Sequence, residues 1–264
     1  MKQKLVFLDI DGTLVDKLEY IHPSTIDAVN KARSNGHKLF ISSGRYRGIM
    51  PHCIRNMGFT DGVFAAGANV ICGGEVIYNR SFTPQQYDRI VSVLVAHNAL
   101  TVIESPEHED FLAQTFREEF SGMRDWIISL GGRFLQDTPK GLDNIGKFVY
   151  KSADCPNEQL AGELGSICKI VTMSYPDSTS GGEVMLPDVD KSVGITKILE
   201  HLGADISDTI AIGDGGNDIE MLDFCATSVA MGNAPDIVKA HADIITDRID
   251  NDGLYKAFVT CGLI

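Results

Sequence analysis

Residues 4–16 read KLVFLDIDGTLVD, an apolar run that ends in two aspartates, Asp9 and Asp11, followed by Gly12 and Thr13. A continuous apolar run of this length predicts a strand that is buried on both faces of a sheet. Asp, Gly and Thr together are also typical of a turn that caps the next helix. A structural explanation of the two acids therefore stands beside a functional one.

The spacing of the two acids favours the functional explanation. Residues two apart in a strand point to the same face and lie about 6.5 to 7 Å apart, so Asp9 and Asp11 face the same way. They follow a strand that we expect to be central, and open parallel sheets bind ligands at the carboxyl ends of such strands. Two converging carboxylates repel one another unless they share a cation or a proton. The pair suits Mg²⁺, which takes oxygen ligands, and a chemistry in which one carboxylate attacks and the other transfers a proton.

Short apolar runs alternate with helical patterns from residue 4 to about residue 72, and the alternation returns from residue 192 onward. We therefore expect an α/β fold with a doubly wound parallel-sheet core, formed by residues 1–82 and 186–264. Residues 83–185 lack this rhythm and predict an inserted α+β domain. Within the core, GVFAAGANVI is expected to form one strand, and a helix is expected directly after Gly44.

Polar residues also follow other expected strands. Ser43 and Gly44 end HKLFISSG, where a hydroxyl and free N–H groups at a helix start would bind an anion, although an ordinary serine N-cap has the same sequence. TIAIGDGGND brings Asp214 and Asp218 to the end of a third strand, and it contains no GxGxxG pattern of a dinucleotide site. Lys191 precedes a helix and has acidic neighbours, as do many lysines on protein surfaces.

The composition limits the classes of partner. Against 23 Lys and Arg stand 36 Asp and Glu, a net charge of −13, which argues against binding to nucleic acid or to an anionic membrane. The six cysteines form no CxxC pair, and no apolar run approaches the ~20 residues of a membrane span. We expect a soluble cytoplasmic protein that is a monomer or a homodimer and acts on a small molecule.

Four segments together resemble the haloacid dehalogenase superfamily, and more closely its Cof-like phosphatases: DIDGT at residues 9–13, SSGR at 42–45, Lys191, and GDGGND at 213–218. Their order and spacing match, and the insertion lies where this family carries its type 2 (C2B) cap domain. The resemblance implies a Rossmann-like core, a Mg²⁺ ion and a cap that supplies specificity and excludes water.

The resemblance also implies a role for each matching residue. Asp9 would attack the phosphorus to form an aspartyl-phosphate, and Asp11 would protonate the leaving oxygen and later activate water. Mg²⁺ would be held by Asp9, the carbonyl of Asp11, Asp214 and Asp218. The phosphate would be bound by Ser43, the Gly44 N–H and Lys191, with Asn217 orienting the lysine or the phosphate. Arg45 and Glu183, the latter in the polar loop SYPDSTSGGE, are candidates to contact a sugar hydroxyl.

Two residues depart from the family pattern, Ala66 where asparagine is usual and Ser192 where glycine is common. Three functions remain open. A Mg²⁺-dependent phosphatase of small metabolites is favoured, with sugar phosphates leading and FMN or pyridoxal phosphate as further substrates. A phosphomutase with the same nucleophile and a noncatalytic phosphometabolite-binding protein are the alternatives.

Overall fold

A computed structural model describes residues 2–16, 20–107, 109–115, 118, 121–129, 131–152, 155–173 and 180–264. In chain order, its strands are β1 (Leu5–Leu8), β2 (Lys38–Ser42), β3 (Gly62–Phe64), β4 (Asn69–Cys72), β5 (Glu75–Asn79), β6 (Leu100–Glu104), β7 (Glu109–Leu112), β8 (Arg133–Leu135), β9 (Lys147–Ser152), β10 (Lys169–Thr172), β11 (Ser180–Met185), β12 (Thr209–Gly213), β13 (Thr227–Ala230) and β14 (Ile244–Ile245). Its α-helices are α1 (Pro23–Ser34), α2 (His52–Asn56), α3 (Pro84–Ala96), α4 (Ser121–Ser129), α5 (Asn157–Leu164), α6 (Lys191–Leu202), α7 (Ile219–Phe224), α8 (Asp236–Lys239) and α9 (Gly253–Thr260).

The first sheet has eight strands in the order β14-β13-β12-β1-β2-β3-β4-β5. Neighbouring strands are parallel from β14 to β3, whereas β4 and β5 continue the sheet in antiparallel pairs. The strand β1 lies between β2, which follows it in sequence, and β12, which comes from the far end of the chain. The order of the strands reverses at β1, and such a switch point is where α/β sheets bind ligands.

Apolar side chains cover both faces of this sheet. From β1, Val6 and Leu8 join a buried cluster that includes Val29 of α1 and Phe258 of α9. The alternate residues Leu5 and Phe7 join the opposite cluster, which contains apolar residues of α6 and α7. Because successive side chains of a strand point to opposite faces, the uninterrupted apolar run of β1 serves both layers. The prediction of a doubly wound parallel core is confirmed.

A second sheet has six strands in the order β10-β11-β9-β6-β7-β8. Its pairs are antiparallel except for β7 and β8, and the helices α3 and α5 pack against each other. The chain divides into two compact units, one of residues 1–45, 50–79 and 190–264, and one of residues 46–49 and 80–189. We call them the core unit and the cap unit. The predicted boundaries did not include residues 46–49 in the second unit.

Two local predictions are wrong. The stretch GVFAAGANVI is interrupted at residues 65–67 by a 3-10 turn, and β4 then runs antiparallel to β3. The reversal is made by Ala65 and Ala66, whose φ angles are 49° and 52°, together with Gly67 at 106°. No helix begins directly after Gly44; a 3-10 turn spans Arg47–Ile49 and α2 starts after Pro51. Within the described residues, no helix has the length and apolar character that a membrane crossing requires.

Candidate active site

Asp9 and Asp214 follow the neighbouring parallel strands β1 and β12, so both lie at the carboxyl edge of the core sheet. Asp9 is 5% exposed, and its backbone N–H donates to Ile212 O at 3.0 Å. Gly12 has a φ of +90°, and a side chain at this position would overlap the Asp214 carboxylate. Glycine at this position therefore lets the loop after β1 approach the end of β12.

Lys191 lies between two acids. It is fully buried at the start of α6, where its Nζ donates to Asp9 Oδ1 at 2.7 Å and also to Asp218 Oδ1. The other oxygen of Asp218 accepts the backbone N–H groups of Asp214 and Gly215 at 2.9 and 2.8 Å. The interpretation of Lys191 as an exposed surface lysine is therefore wrong, because its charge is buried and has two carboxylate partners.

The N-cap of α6 fixes the position of Lys191. The Asp190 carboxylate accepts the backbone N–H groups of Ser192 and Val193, which are otherwise without partners in the first turn of a helix. The Ser192 hydroxyl also donates to Asp190 at 2.6 Å. Serine in place of the common glycine thus adds a hydrogen bond to this N-cap.

Burial and neighbouring charges raise the pKa values of Asp9 and Asp214. Burial raises the pKa of Asp9 well above its ordinary value, the Asp218 charge raises it further, and Lys191 opposes both effects. Burial and the Asp218 charge likewise raise the pKa of Asp214 to about 6. Burial disfavours the charged form of Lys191, but the carboxylates of Asp218 and Asp9 outweigh it and raise the lysine pKa. Three acids share one lysine, so the site has an excess of negative charge.

Asp9, Asp214 and Asp218 fit a divalent cation. One ligand atom from each lies within 4.8 Å of the others. Hard cations such as Mg²⁺ prefer carboxylate oxygens, and a cation here would offset the burial and the mutual repulsion that raise the carboxylate pKa values. Asp218 accepts three hydrogen bonds, Asp214 accepts two and Asp9 accepts one from Lys191, so Asp9 and Asp214 keep more lone pairs for a cation and Asp218 lies beside them.

Asp11 and Arg45 form an ion pair that the sequence analysis did not anticipate. Arg45 donates from Nε and Nη2 to the two oxygens of Asp11, at 2.9 and 2.7 Å. The Asp11 side chain is 52% exposed, unlike the buried Asp9. Arg45, which we expected to meet a sugar hydroxyl, is thus engaged with the expected proton donor in this structure.

Ser43 and Gly44, two of the expected phosphate-binding residues, lie near Asn217, and no helix starts at them. Ser43 is buried, its Oγ accepts the Arg45 N–H at 3.2 Å, and its N–H donates to Val63 O. The side-chain nitrogen of Asn217 would lie 3.4 Å from a Cβ placed on Gly44. Asn217 is therefore beside Gly44, whereas the lysine that we expected it to orient is bonded to Asp9 and Asp218.

Glu183 lies in the cap unit, in β11 and not in a loop, which corrects the prediction for SYPDSTSGGE. Residues 174–179 of that stretch lie outside the described residues. The Glu183 carboxylate accepts a hydrogen bond from Lys147 Nζ at 2.6 Å, and Glu104 lies 3.0 Å from the same nitrogen. Burial raises the pKa of Glu104, and Lys147 lowers it. Glu183 is therefore part of a buried ionic cluster and retains only 14% of its side-chain exposure.

Two groups that hold Asp214 were not predicted from the sequence. The Thr13 hydroxyl donates to Asp214 Oδ1 at 3.1 Å, and the side-chain N–H₂ of Asn233 donates to Asp214 Oδ2 at 3.0 Å. The sequence of Thr13 and its neighbours also fits an ordinary turn, and Asn233 follows a fourth strand of the same sheet in the sequence AMGNAP. Polar residues that follow parallel strands converge at one edge of the sheet, and this rule could have identified Asn233 as a site residue.

The chain is similar along its length to known proteins. The sequence profile of haloacid dehalogenase-like hydrolases matches residues 6–258. The putative phosphatase YkrA of Bacillus subtilis is 27% identical over 266 residues, which cover 100% of both chains. The pyridoxal phosphate phosphatase YbhA of Escherichia coli is 28% identical over 96% of this chain and 97% of its own. A solved structure of a HAD subclass IIB sugar phosphatase is similar at a TM-score of 0.80 and 28% identity, covering 99% of this chain and 100% of the other.

Proposed function

This chain belongs to the haloacid dehalogenase-like hydrolases and is a phosphatase. We propose that it is a Mg²⁺-dependent enzyme that hydrolyses small phosphorylated metabolites, with sugar phosphates favoured, through an aspartyl-phosphate. The observation that carries the proposal is the convergence of Asp9, Asp214 and Asp218 around the buried Lys191. Bound Mg²⁺ would offset the excess negative charge and polarise the phosphoryl oxygens.

Asp9 is the proposed nucleophile. Lys191 holds one oxygen of its carboxylate, and the other attacks the phosphorus while the bond to the leaving oxygen breaks. Lys191 keeps a positive charge beside the incoming phosphoryl group, since the neighbouring acids raise its pKa. Ser43 and the Gly44 N–H are the proposed contacts for the remaining phosphoryl oxygens.

Asp11 is the proposed general acid and base. It gives a proton to the leaving alkoxide and then accepts one from the water that attacks the aspartyl-phosphate, which releases phosphate and restores Asp9. In this structure, Arg45 engages both oxygens of Asp11. Proton transfer therefore requires this ion pair to open, and Arg45 is then available to a polar group of the substrate.

Phosphate release from a panel of sugar phosphates, pyridoxal phosphate and FMN, with Mg²⁺ and with a chelator, tests the proposal. We expect release only with the cation, and none from Asp9→Asn, which keeps the shape of the side chain but removes the nucleophile. Undiminished release by Asp9→Asn contradicts the mechanism. A phosphomutase instead converts the substrate to an isomer, requires an activating bisphosphate and releases little phosphate. Binding without turnover identifies the noncatalytic alternative.

Sugar phosphates are favoured because the sugar phosphatase of subclass IIB is similar along almost the full chain. The relative from Escherichia coli makes pyridoxal phosphate the competing substrate. We propose that Glu183 contacts a substrate hydroxyl, since a site that hydrogen-bonds a hydroxyl strongly rejects analogues that lack it. Glu183→Ala should then lower kcat/KM for the best sugar phosphate far more than for p-nitrophenyl phosphate. Glu183→Gln, which keeps an acceptor for Lys147, is the control for the ionic cluster, and equal losses on both substrates contradict the proposal.

A further inference from the structure

Asn233 occupies the turn after β13, next to the carboxyl end of β12. Its side-chain nitrogen donates to Asp214 Oδ2 at 3.0 Å and to Gly12 O at 2.9 Å, and its side-chain oxygen accepts the Ile249 N–H at 3.0 Å. Because a carbonyl and a carboxylate only accept and a backbone N–H only donates, these partners fix the orientation of the amide. We propose that Asn233 is a positioning residue that presets the Asp214 carboxylate for a divalent cation, an inference that rests on the proposed function.

The turn that carries Asn233 is held in place by its own backbone. The Met231 N–H donates to Gly213 O and the Gly232 N–H to Asp247 O, each at 3.0 Å. A Cβ on Gly232 would lie 2.5 Å from Arg248 N, so the chain packs there without room for a side chain. Asn233 thus projects from a fixed turn, and its amide transmits that position to Asp214.

Asp214 depends on two side-chain donors, one for each oxygen. Thr13 donates to Oδ1 and Asn233 to Oδ2, so rotation of the carboxylate breaks both hydrogen bonds. The second hydrogen of the Asn233 amide bonds Gly12 O and ties the loop after β1 to the same carboxylate. Mg²⁺ demands near-ideal octahedral geometry at about 2.0 to 2.1 Å, so a carboxylate fixed before binding loses less freedom when the cation arrives.

Groups that orient a metal ligand typically contribute about 10- to 100-fold in metal affinity. Isothermal titration of the full chain with Mg²⁺ should therefore show about 10- to 100-fold weaker binding for Asn233→Ala than for the wild type. The Mg²⁺ concentration that gives half-maximal phosphate release should rise by the same factor, while kcat at saturating Mg²⁺ recovers to within a few-fold. Loss of structural support alone would not be corrected by more cation.

Asn69→Ala is the matched control. Asn69 is another asparagine of the core unit whose side chain makes a hydrogen bond, donating to Asn79 Oδ1 at 3.0 Å in the hairpin of β4 and β5. This variant should lower the unfolding temperature and leave Mg²⁺ affinity unchanged. Thr13→Val is the second variant, since it keeps the shape of the side chain while removing the donor to Oδ1, and it should also weaken Mg²⁺ binding if Asn233→Ala does not fold.

The outcomes separate this inference from the proposed function. If the wild type binds Mg²⁺ and both Asn233→Ala and Thr13→Val bind it equally well, the proposed role of Asn233 is wrong. The proposed function is not affected by this outcome. Equal weakening of Mg²⁺ binding by Asn69→Ala also overturns the role of Asn233, because any loss of core stability would then have the same effect. No Mg²⁺ binding by the wild type overturns both the inference and the metal dependence that we propose.

Discussion

Each of the two units contains a buried lysine between two carboxylates, Lys191 in the core unit and Lys147 in the cap unit. In the core, the acids come from loops at the carboxyl edge of parallel strands, and Asp214 joins them. In the cap, Glu104 lies opposite Lys147 on an adjacent antiparallel strand. Among the described residues, only the core acids bring three potential metal ligands together. Similar ion pairs therefore have different surroundings, and the grouping of three potential metal ligands at a sheet edge distinguishes the core site among the described residues.

Replacing each lysine by methionine is the strongest test of this difference. Lys191→Met and Lys147→Met each leave two buried carboxylates without their cation, and breaking a buried pair in this way costs about 3 to 5 kcal/mol of stability. Only Lys191→Met should also reduce hydrolysis of p-nitrophenyl phosphate to background. Urea denaturation and phosphate release measure the two effects. Equal activity losses at equal stability would show that the two lysines act alike.

Asp11→Asn tests the acid that is exposed and paired with arginine. Loss of a general acid typically reduces turnover by about 10² to 10⁴-fold, and we expect this loss for an alkyl phosphate. The loss should be smaller for p-nitrophenyl phosphate, whose leaving group needs little protonation. Calorimetric Mg²⁺ affinity should change little, because the proposed metal contact of Asp11 is its backbone carbonyl. Near wild-type kcat on the alkyl phosphate contradicts the assignment.

The pH dependence of stability should distinguish the two acidic clusters. The pKa of Asp214 is raised to about 6 and that of Glu104 is raised by burial, so both favour folding at low pH. This contribution is present below the unfolded pKa of about 4 and is lost as the pH rises through the folded value. In a chelator, the unfolding midpoint should fall between about pH 4 and pH 7.

Mg²⁺ binds ionised carboxylates, so it should reduce the loss of thermal stability that ionisation of Asp214 causes as the pH rises. It should not change the loss that ionisation of Glu104 causes. In the chelator, Asp214→Asn should make the unfolding temperature depend less on pH. Glu104→Gln should reduce the pH dependence that remains when Mg²⁺ is present. Thermal melts across this pH range measure both. If Asp214→Asn leaves the pH dependence of the unfolding temperature unchanged, the pKa of Asp214 is not raised in the metal-free protein.

The smallest expected effect concerns Ala66, in the left-handed turn beside Ser43. A non-glycine residue in this region costs about 1 to 2 kcal/mol, whereas glycine costs about 0.5 to 1 kcal/mol in chain entropy. Ala66→Gly should therefore stabilise the protein by no more than about 1.5 kcal/mol or be neutral. Ala68→Gly, at an ordinary φ of −73°, is the control and should be destabilising. Urea midpoints of the two variants measure the difference, and equal losses would show that the turn is not strained.

The sequence predicted most of the core because its signals are local. Apolar runs and helical periods indicate β1, β2, β12 and the helices near them. Because parallel strands end at one edge of a sheet, the sequence alone predicts that Asp9 and Asp214 lie close together. The interrupted strand at residues 62–71 was missed because Ala65 and Ala66 adopt a conformation that alanine rarely takes.

Pairings between distant residues were decided only by the tertiary structure. Lys191, separated by 182 residues from Asp9, has the same local sequence whether it is exposed or buried between acids. The local sequence of a segment does not predict its distant partner. This holds for the pairings of Arg45 with Asp11, Glu183 with Lys147 and Asn233 with Asp214. The sequence by itself determined which residue types end each strand. The tertiary structure determined which of them share a hydrogen bond, because the energy of a buried charge depends on neighbours that only folding brings within about 3 Å.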